Sequence, residues 1–260
     1  MNILSLIHIS GDDDSQKRLH ALREEFKDVF CYDLPKESAR IPEFNLVVDH
    51  EKRRDSPRTQ SALFKTVETL LQQEIIEYSQ SAHYSQILMV PKPDGTFRIC
   101  VKNHCTPDAS WPIPNIAVIL RRIGTQKPKI FGAMDLTQGY HQAPLTYATR
   151  AYSSFITFSG VYYFTRLPFG PQRARSYFQE IIVTIVLFGL IYMICEMCID
   201  DCQVFDANND EFVRRLRSIL LRLRKHNLHL KAFGYFGYSE LEFFGEVISD
   251  EGLKVSRKKI

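Results

Sequence analysis

Two adjacent aspartates, Asp200 and Asp201, interrupt an apolar stretch, with Met193-Ile194-Cys195-Glu196-Met197-Cys198-Ile199 before them and Cys202-Gln203-Val204-Phe205 after. An unpaired carboxylate in such surroundings costs several kcal/mol or titrates to neutrality, so the pair implies a partner. A third candidate, Asp135, ends a second short apolar strand, Ile130-Phe131-Gly132-Ala133-Met134. Three carboxylates delivered by two strand ends suit a divalent metal. Mg²⁺ takes oxygen ligands, usually one or two carboxylates plus substrate phosphates. Two such ions about 3.5–4 Å apart can stabilise both the attacking and the leaving oxygen of one in-line displacement. Asp135 and Asp200 are the expected bridging ligands, with Asp201 assisting. The Asp pair by itself reads equally well as a plain turn; Asp135 shifts the balance toward chemistry.

The elements that must position these groups follow from periodicity. Apolar residues flanking a short polar pair predict two strands joined by a tight turn, the aspartates at its tip. Leu19, Leu22, Phe26 and Phe30 predict an amphipathic helix over 15–30, and Pro35, Pro42 and Pro57 mark an extended arm. Ser56-Pro57 is a helix start, and the stripe Leu63, Val67, Leu70, Leu71 carries that helix to about Tyr78. Strands at 87–90 and 96–101 flank the turn Lys92-Pro93-Asp94-Gly95, and alternation puts Arg98 on the side opposite Phe97, Ile99 and Val101. A second hairpin is expected over 153–158 and 161–165, then a long helix from Gln172. A further helix over 211–226 carries Arg214, Arg215, Arg217, Arg222, Arg224 and Lys225 on its outer face. Strands interleaved with long helices make the fold class α+β.

Composition excludes more than it selects. The 260 residues are 45% apolar and 24% charged with a net charge of +3, so a nucleic-acid partner must be argued from local basic clusters, not the total. Cys195, Cys198 and Cys202 superficially suggest a metal cluster, but no Cys or His follows at finger-like spacing, and they read as strand cysteines in a reducing compartment. The first ten residues lack a basic flank and cleavage site. The longest apolar run, 181–195, is shorter than the roughly 20 residues a spanning helix needs and is broken by Gly189; it reads as a buried helix passing into a buried strand.

Five ordered blocks then carry a resemblance. Val90-Pro91-Lys92-Pro93-Asp94-Gly95-Thr96-Phe97-Arg98, Phe131-Gly132-Ala133-Met134-Asp135-Leu136-Thr137-Gln138-Gly139-Tyr140-His141-Gln142, Leu167-Pro168-Phe169-Gly170, Cys198-Ile199-Asp200-Asp201 and Phe243-Phe244-Gly245 stand in the order of one family. The chain resembles the reverse transcriptase region of Ty3/gypsy-type long-terminal-repeat retrotransposon polyproteins from about Glu37 to Ile260. The resemblance implies the fingers and palm of a right-hand polymerase with the thumb largely absent. The implied domains are an N-terminal helix and arm over 1–55, fingers about 56–129 and 150–170, and palm about 130–149 and 171–250. It implies RNA-directed DNA polymerase activity with two Mg²⁺ ions (Mn²⁺ as the alternative), and a dNTP and a template-primer as partners. Lys92 and Arg98 would grip the triphosphate, guanidinium meeting phosphate bidentately. Tyr140 stands where the family places the residue excluding a ribose 2′-hydroxyl, and Phe169 lies in the nucleotide-pocket loop. Phe243, Phe244 and Gly245 would position the primer end, and Arg173 and Arg175, beside Arg166, would contact the nucleic-acid backbone. Helix 211–226 is expected as a solvated face, with phosphate attraction as the other reading.

Departures from the pattern are specific. Cys198 replaces the usual tyrosine, Lys102-Asn103-His104-Cys105-Thr106 replaces an Asp-Tyr-Arg-containing segment, Arg173-Ala174-Arg175 loses a proline, and Lys231-Ala232 lacks the usual Lys-Cys pair. The rival readings are an inactive, decayed copy that still binds nucleic acid or a partner, and another two-metal phosphotransferase or nuclease. The resemblance further implies a piece of a longer polyprotein continuing into thumb, ribonuclease H and integrase, at work in the cytoplasm, in virus-like particles or in the nucleus, with no membrane partner.

Overall fold

The computed structural model describes residues 6–46, 60–82, 84–92, 95–101 and 111–255. In chain order the elements begin β1 (Ile7–Ile9), α1 (Asp13–Glu25), β2 (Phe30–Cys31), α2 (Gln60–Gln72), β3 (Ile76–Tyr78), β4 (Ile87–Pro91), β5 (Phe97–Val101), α3 (Ile116–Thr125) and β6 (Ile130–Leu136). They continue as the single turn α4 (Gly139–Gln142), β7 (Phe155–Thr157), β8 (Gly160–Phe164), α5 (Ala174–Ile181), β9 (Cys195–Cys198), β10 (Asp201–Asp206) and α6 (Asn209–Lys225). The last four are β11 (Leu230–Tyr238), β12 (Glu240–Phe243), β13 (Glu246–Ser249) and β14 (Gly252–Val255). The chain forms two units: Met1–Tyr32, Ile113–Thr137 and Ile182–Ile260 make the first, Asp33–Pro112 and Gln138–Ile181 the second. No helix among the described residues is long and apolar enough to cross a membrane.

In the first unit a six-stranded sheet runs β1-β11-β6-β10-β9, with β2 also on β11. Strand alternation sorts its side chains. Met134, Gly132, Val204 and Phe236 face α6, and Gly132 is the point of closest approach: a Cβ there would sit 2.9 Å from Val204 and 3.0 Å from Phe212 and Phe236. On the opposite face Phe131 and Phe205 join Ile119, Leu120 and Ile123 of α3 and Leu241, Phe243 and Ile248 of the β12-β13-β14 sheet in one buried cluster. Asn208 caps α6 through the N–H groups of Asp210 and Glu211, and the basic last turn complements the helix dipole.

The arginines of α6 are not a free cationic face. Arg215 pairs with Asp206 at 2.7 Å, Arg217 with Glu25, Arg214 with Glu211, and Arg224 with Asp28. Arg215, Arg217 and Arg224 tie α6 to β10 and to the segment carrying α1, while Arg214 pairs within α6; Arg214, Arg217 and Lys225 stay exposed, so the expected solvated face is kept in part and used in part as a seam.

In the second unit a β3-β8-β7 sheet accompanies the β4-β5 hairpin. The loop after Leu167 is bound to β5: Val101 donates to the Phe169 carbonyl at 2.8 Å, and Gly170 (φ 124°) lies so close that a Cβ would meet the Val101 oxygen at 2.0 Å.

Expected boundaries moved where tertiary pairing won. The helix expected over 15–30 stops at Glu25, because Phe30 and Cys31 pair with Leu230 and Lys231. The second helix stops at Gln72, because Ile76–Tyr78 is a strand paired with β8; its expected start at Ser56-Pro57 lies outside the described residues. The helix from 174 reaches Val186 through a wide turn, and residues 187–194 are turns rather than a continuous passage into β9. Asp135 lies within β6, not at its end. The partition also runs elsewhere than expected: β1, α1 and β2 belong to the first unit because β11 pairs with both strands, and 33–46 belongs to the second.

Candidate active site

Asp135 and Asp201 are direct cross-strand partners on β6 and β10. Opposite residues on one sheet face hold their Cβ atoms about 4.5–5.5 Å apart, and like charges there repel. The turn joining β9 to β10 consists of Ile199 and Asp200, since Cys198 pairs with Asp201. Ile199 has φ 61°, a conformation that a β-branched residue adopts only under strain of about 1–3 kcal/mol. The Asp200 carbonyl accepts the Leu136 N–H at 3.0 Å, which ties the turn to β6 one residue past Asp135. The residue opposite Asp135 is thus Asp201 rather than Asp200, the expected bridging partner; Asp200 lies in the adjoining turn, held to β6 through its backbone carbonyl.

A fourth group, not singled out from the sequence, completes the row. Lys231 on β11 pairs its ammonium with Asp135 Oδ2. Ammonium, Asp135 and Asp201 therefore lie across three neighbouring strands. Burial raises Asp135, and the Lys231 hydrogen bond and charge oppose that rise. Burial, then repulsion by Asp135, pushes Asp201 up to about 6, with Lys231 again opposing. One ammonium offsets only part of the charge of these carboxylates, and every anionic donor is an oxygen; that donor set fits a hard divalent cation. Among the described residues no three His, Cys, Asp or Glu side chains are already gathered as a chelate; the fold supplies the Asp135–Asp201 pair with Asp200 in the adjoining turn.

This row opens into a groove of about 750 Å³ lined by Asp135, Asp201, Lys231, Tyr235, Phe243, Phe244 and Gly245. Phe244 (φ 49°) and Gly245 (φ 78°) link β12 to β13 as a two-residue turn with both φ positive, the type I′ pattern. Phenylalanine is an unusual choice there, whereas Gly245 is the expected one. Phe243 is buried in the core cluster and Phe244 packs against it, while all three residues of the expected primer-positioning trio line the groove.

The second unit gathers three of the four residues expected to bind nucleotide. The Arg98 guanidinium lies 4.3 Å from the Phe169 ring centre, and Tyr140 packs on Phe169 at 5.0 Å and on Phe178 at 5.5 Å. Arg98 is exposed on β5, on the side that alternation assigned. Lys92 stands at the hairpin turn, its N–H donating to the Thr96 carbonyl at 2.8 Å. Buried His141 anchors the arrangement: Nδ1 sits 3.0 Å from the Leu167 carbonyl, and the ring meets Phe169 edge-on at 4.9 Å. Burial drives its pKa down to about 4, so near pH 7 the ring is neutral and Nδ1–H donates.

The arginines near this loop serve different ends. Arg166 is 3% exposed and donates to the carbonyls of Pro35, Lys36 and His141, so it holds the loop in place and does not reach nucleic acid as expected. Arg173 is half-buried and Arg175 exposed. The segment 102–106 lies outside the described residues.

Comparison with known proteins adds ancestry. No protein-family model matches the chain. The retrovirus-related Pol polyprotein from transposon opus of Drosophila melanogaster is 34% identical over 206 residues, 75% of this chain and 20% of that polyprotein. The one from transposon 412 is 28% identical over 265 residues, 94% of this chain, and the Tf2-3 polyprotein of Schizosaccharomyces pombe is 26% identical over 237 residues. The chain spans about a fifth of the length of these relatives. Among solved structures, the foamy viral protease-reverse transcriptase dRH in complex with double-stranded DNA superposes over 98% of this chain and 46% of its own, with a TM-score of 0.84 at 17% identity. The foamy viral protease-reverse transcriptase with an RNA/DNA hybrid gives 0.80 over 98% of this chain and 35% of its own, also at 17% identity.

Proposed function

As the chain is a homologue of gypsy-type and Tf2 retrotransposon Pol polyproteins over most of its length and has the reverse transcriptase fold, we propose that it is the fingers-and-palm part of an RNA-directed DNA polymerase, adding dNTPs to a primer 3′-hydroxyl. The observation that carries the reading is the pairing of Asp135 with Asp201, with Asp200 tied beside them through Leu136.

Reverse transcriptases generally use divalent ions, and Asp135, Asp200 and Asp201 are the residues that would hold Mg²⁺ here. Bound there, the metal would supply charge neutralisation and an acidified 3′-hydroxyl. The protein's own share is placement. Strand pairing fixes two carboxylates at one spacing, and the Phe244-Gly245 turn presents the groove wall along which a primer end would lie. In the second unit, Arg98 offers a bidentate donor for phosphate and Lys92 a mobile point charge. Tyr140, wedged between Phe169 and Phe178, is rigid enough to reject a 2′-hydroxyl by contact. Arg175 is the exposed cation that would meet template or primer phosphates.

Primer extension on a homopolymer RNA template, with Mg²⁺ and the complementary dNTP, tests the proposal. Incorporation by the wild type that Asp135→Asn and Asp200→Asn each abolish is the expected result. Equal incorporation by the variants would remove those residues from the chemistry. Salt-sensitive duplex binding without incorporation would favour the inactive, nucleic-acid-binding reading.

A further inference from the structure

Lys231 is the only group in the carboxylate row that the proposed chemistry leaves without a task, and its position is built rather than incidental. Residues of β11 alternate between buried and exposed positions from Leu230 onward, which puts Lys231 on the same face as Asp135. Its backbone is held on the other side by pairing with Cys31. From that fixed point its ammonium reaches Asp135 Oδ2, while Asp201 stands opposite Asp135 on the far side. A carboxylate oxygen that pairs with an ammonium offers less negative potential to a metal ion. An ammonium beside a bound divalent cation is in turn repelled by it.

We infer that Lys231 is a resident counter-ion of the metal-free site, which a divalent cation must displace from Asp135 in order to bind. The pair is half-open to water, with side-chain exposures of 49% for Lys231 and 31% for Asp135, so displacement is easy and the two states exchange readily. Lys231 thereby sets a threshold ion concentration for loading the site, and it keeps Asp135 and Asp201 from splaying apart while no ion is present. This inference rests on the proposed metal-binding role of the aspartates.

Mn²⁺ binding, followed by the loss of the free-ion electron paramagnetic resonance signal on titration into the full chain, tests it without any turnover. Lys231→Met should bind Mn²⁺ more tightly than wild type by about 2- to 5-fold, the range an ion pair of this exposure supplies. Lys231→Arg, which keeps the charge, should bind like wild type. A second readout guards against misfolding: in EDTA Lys231→Met should melt below wild type, and saturating Mn²⁺ should close that gap. Equal or weaker Mn²⁺ affinity in Lys231→Met, with wild type binding normally, overturns the counter-ion role and leaves the metal site intact. No Mn²⁺ binding by any of the three proteins overturns both.

Discussion

Replacing Asp201 with asparagine should stabilise the metal-free protein above pH 6 while abolishing its proposed activity. Asp201 is raised from its ordinary 3.8 to about 6, by burial first and by Asp135 second. About two pH units at 1.36 kcal/mol each gives about 3 kcal/mol of unfavourable interaction for the charged form. The side chain remains partly open to solvent, and screening reduces the figure to about 1–2 kcal/mol. Because the folded-state value is raised, folding favours the protonated acid; stability is highest below the unfolded-state value and is lost as pH climbs through about 6. Asparagine keeps the shape and removes the titration. At pH 8, in EDTA, Asp201→Asn should therefore unfold later in urea by about 1–2 kcal/mol, or melt about 2–8 °C higher for a chain of this size. Near pH 4 the two proteins should coincide. A variant that is less stable at pH 8, or whose advantage is the same at both pH values, would show that burial and Asp135 together do not penalise the charged form of Asp201.

Other substitutions probe the remaining framework. Arg122 meets Glu196, which is 1% exposed, through two hydrogen bonds of 2.6 and 2.7 Å; Arg122→Met should cost about 3–5 kcal/mol in urea denaturation, and adding Glu196→Leu should recover much of the loss. Gly170→Ala drives a methyl into the Val101 carbonyl at positive φ, and overpacking plus backbone strain should cost about 2–5 kcal/mol. Limited proteolysis should then cut the 167–170 loop sooner than in wild type. Tyr140→Ala empties the contact with Phe169 and Phe178. The ratio of ribonucleotide to deoxyribonucleotide incorporation should rise about tenfold or more, one lost steric contact being worth about 1–3 kcal/mol. An unchanged ratio would take Tyr140 out of the sugar pocket.

The aspartates were legible because carboxylates between Ile199 and Cys202 violate the apolar pattern around them, and such violations mark either turns or chemistry. The side of β5 that Arg98 takes was legible through period-two alternation, whereas its expected role came from the resemblance. Lys231 was not, since a lysine in the mixed stretch after Leu230 looks like any surface lysine, and only the lateral order β10-β6-β11 sets it beside Asp135. Likewise nothing local announces that Arg166 is spent on backbone carbonyls 130 residues away. The helix limits at Glu25 and Gln72 depend on strands recruited from far along the chain, and helical periodicity cannot register a competing partner. The clamp by α6 was hidden for the same reason: Glu25 and Asp28 look like ordinary solvated acids until α1 is packed.

The parallel pairing of Ile7–Ile9 with Gly234–Phe236 has a consequence for biosynthesis. The two segments lie more than two hundred residues apart, so at about 5–20 residues per second the ribosome needs roughly 10–45 s to deliver the second after the first. Throughout that interval β1 and β2 present bare hydrogen-bonding edges, which are templates for joining a neighbouring nascent chain. Polysomes crowded with identical messages would bring such neighbours close until Leu230 emerges. A recombinant version cut short of β11 should accumulate in inclusion bodies even though all three aspartates are present.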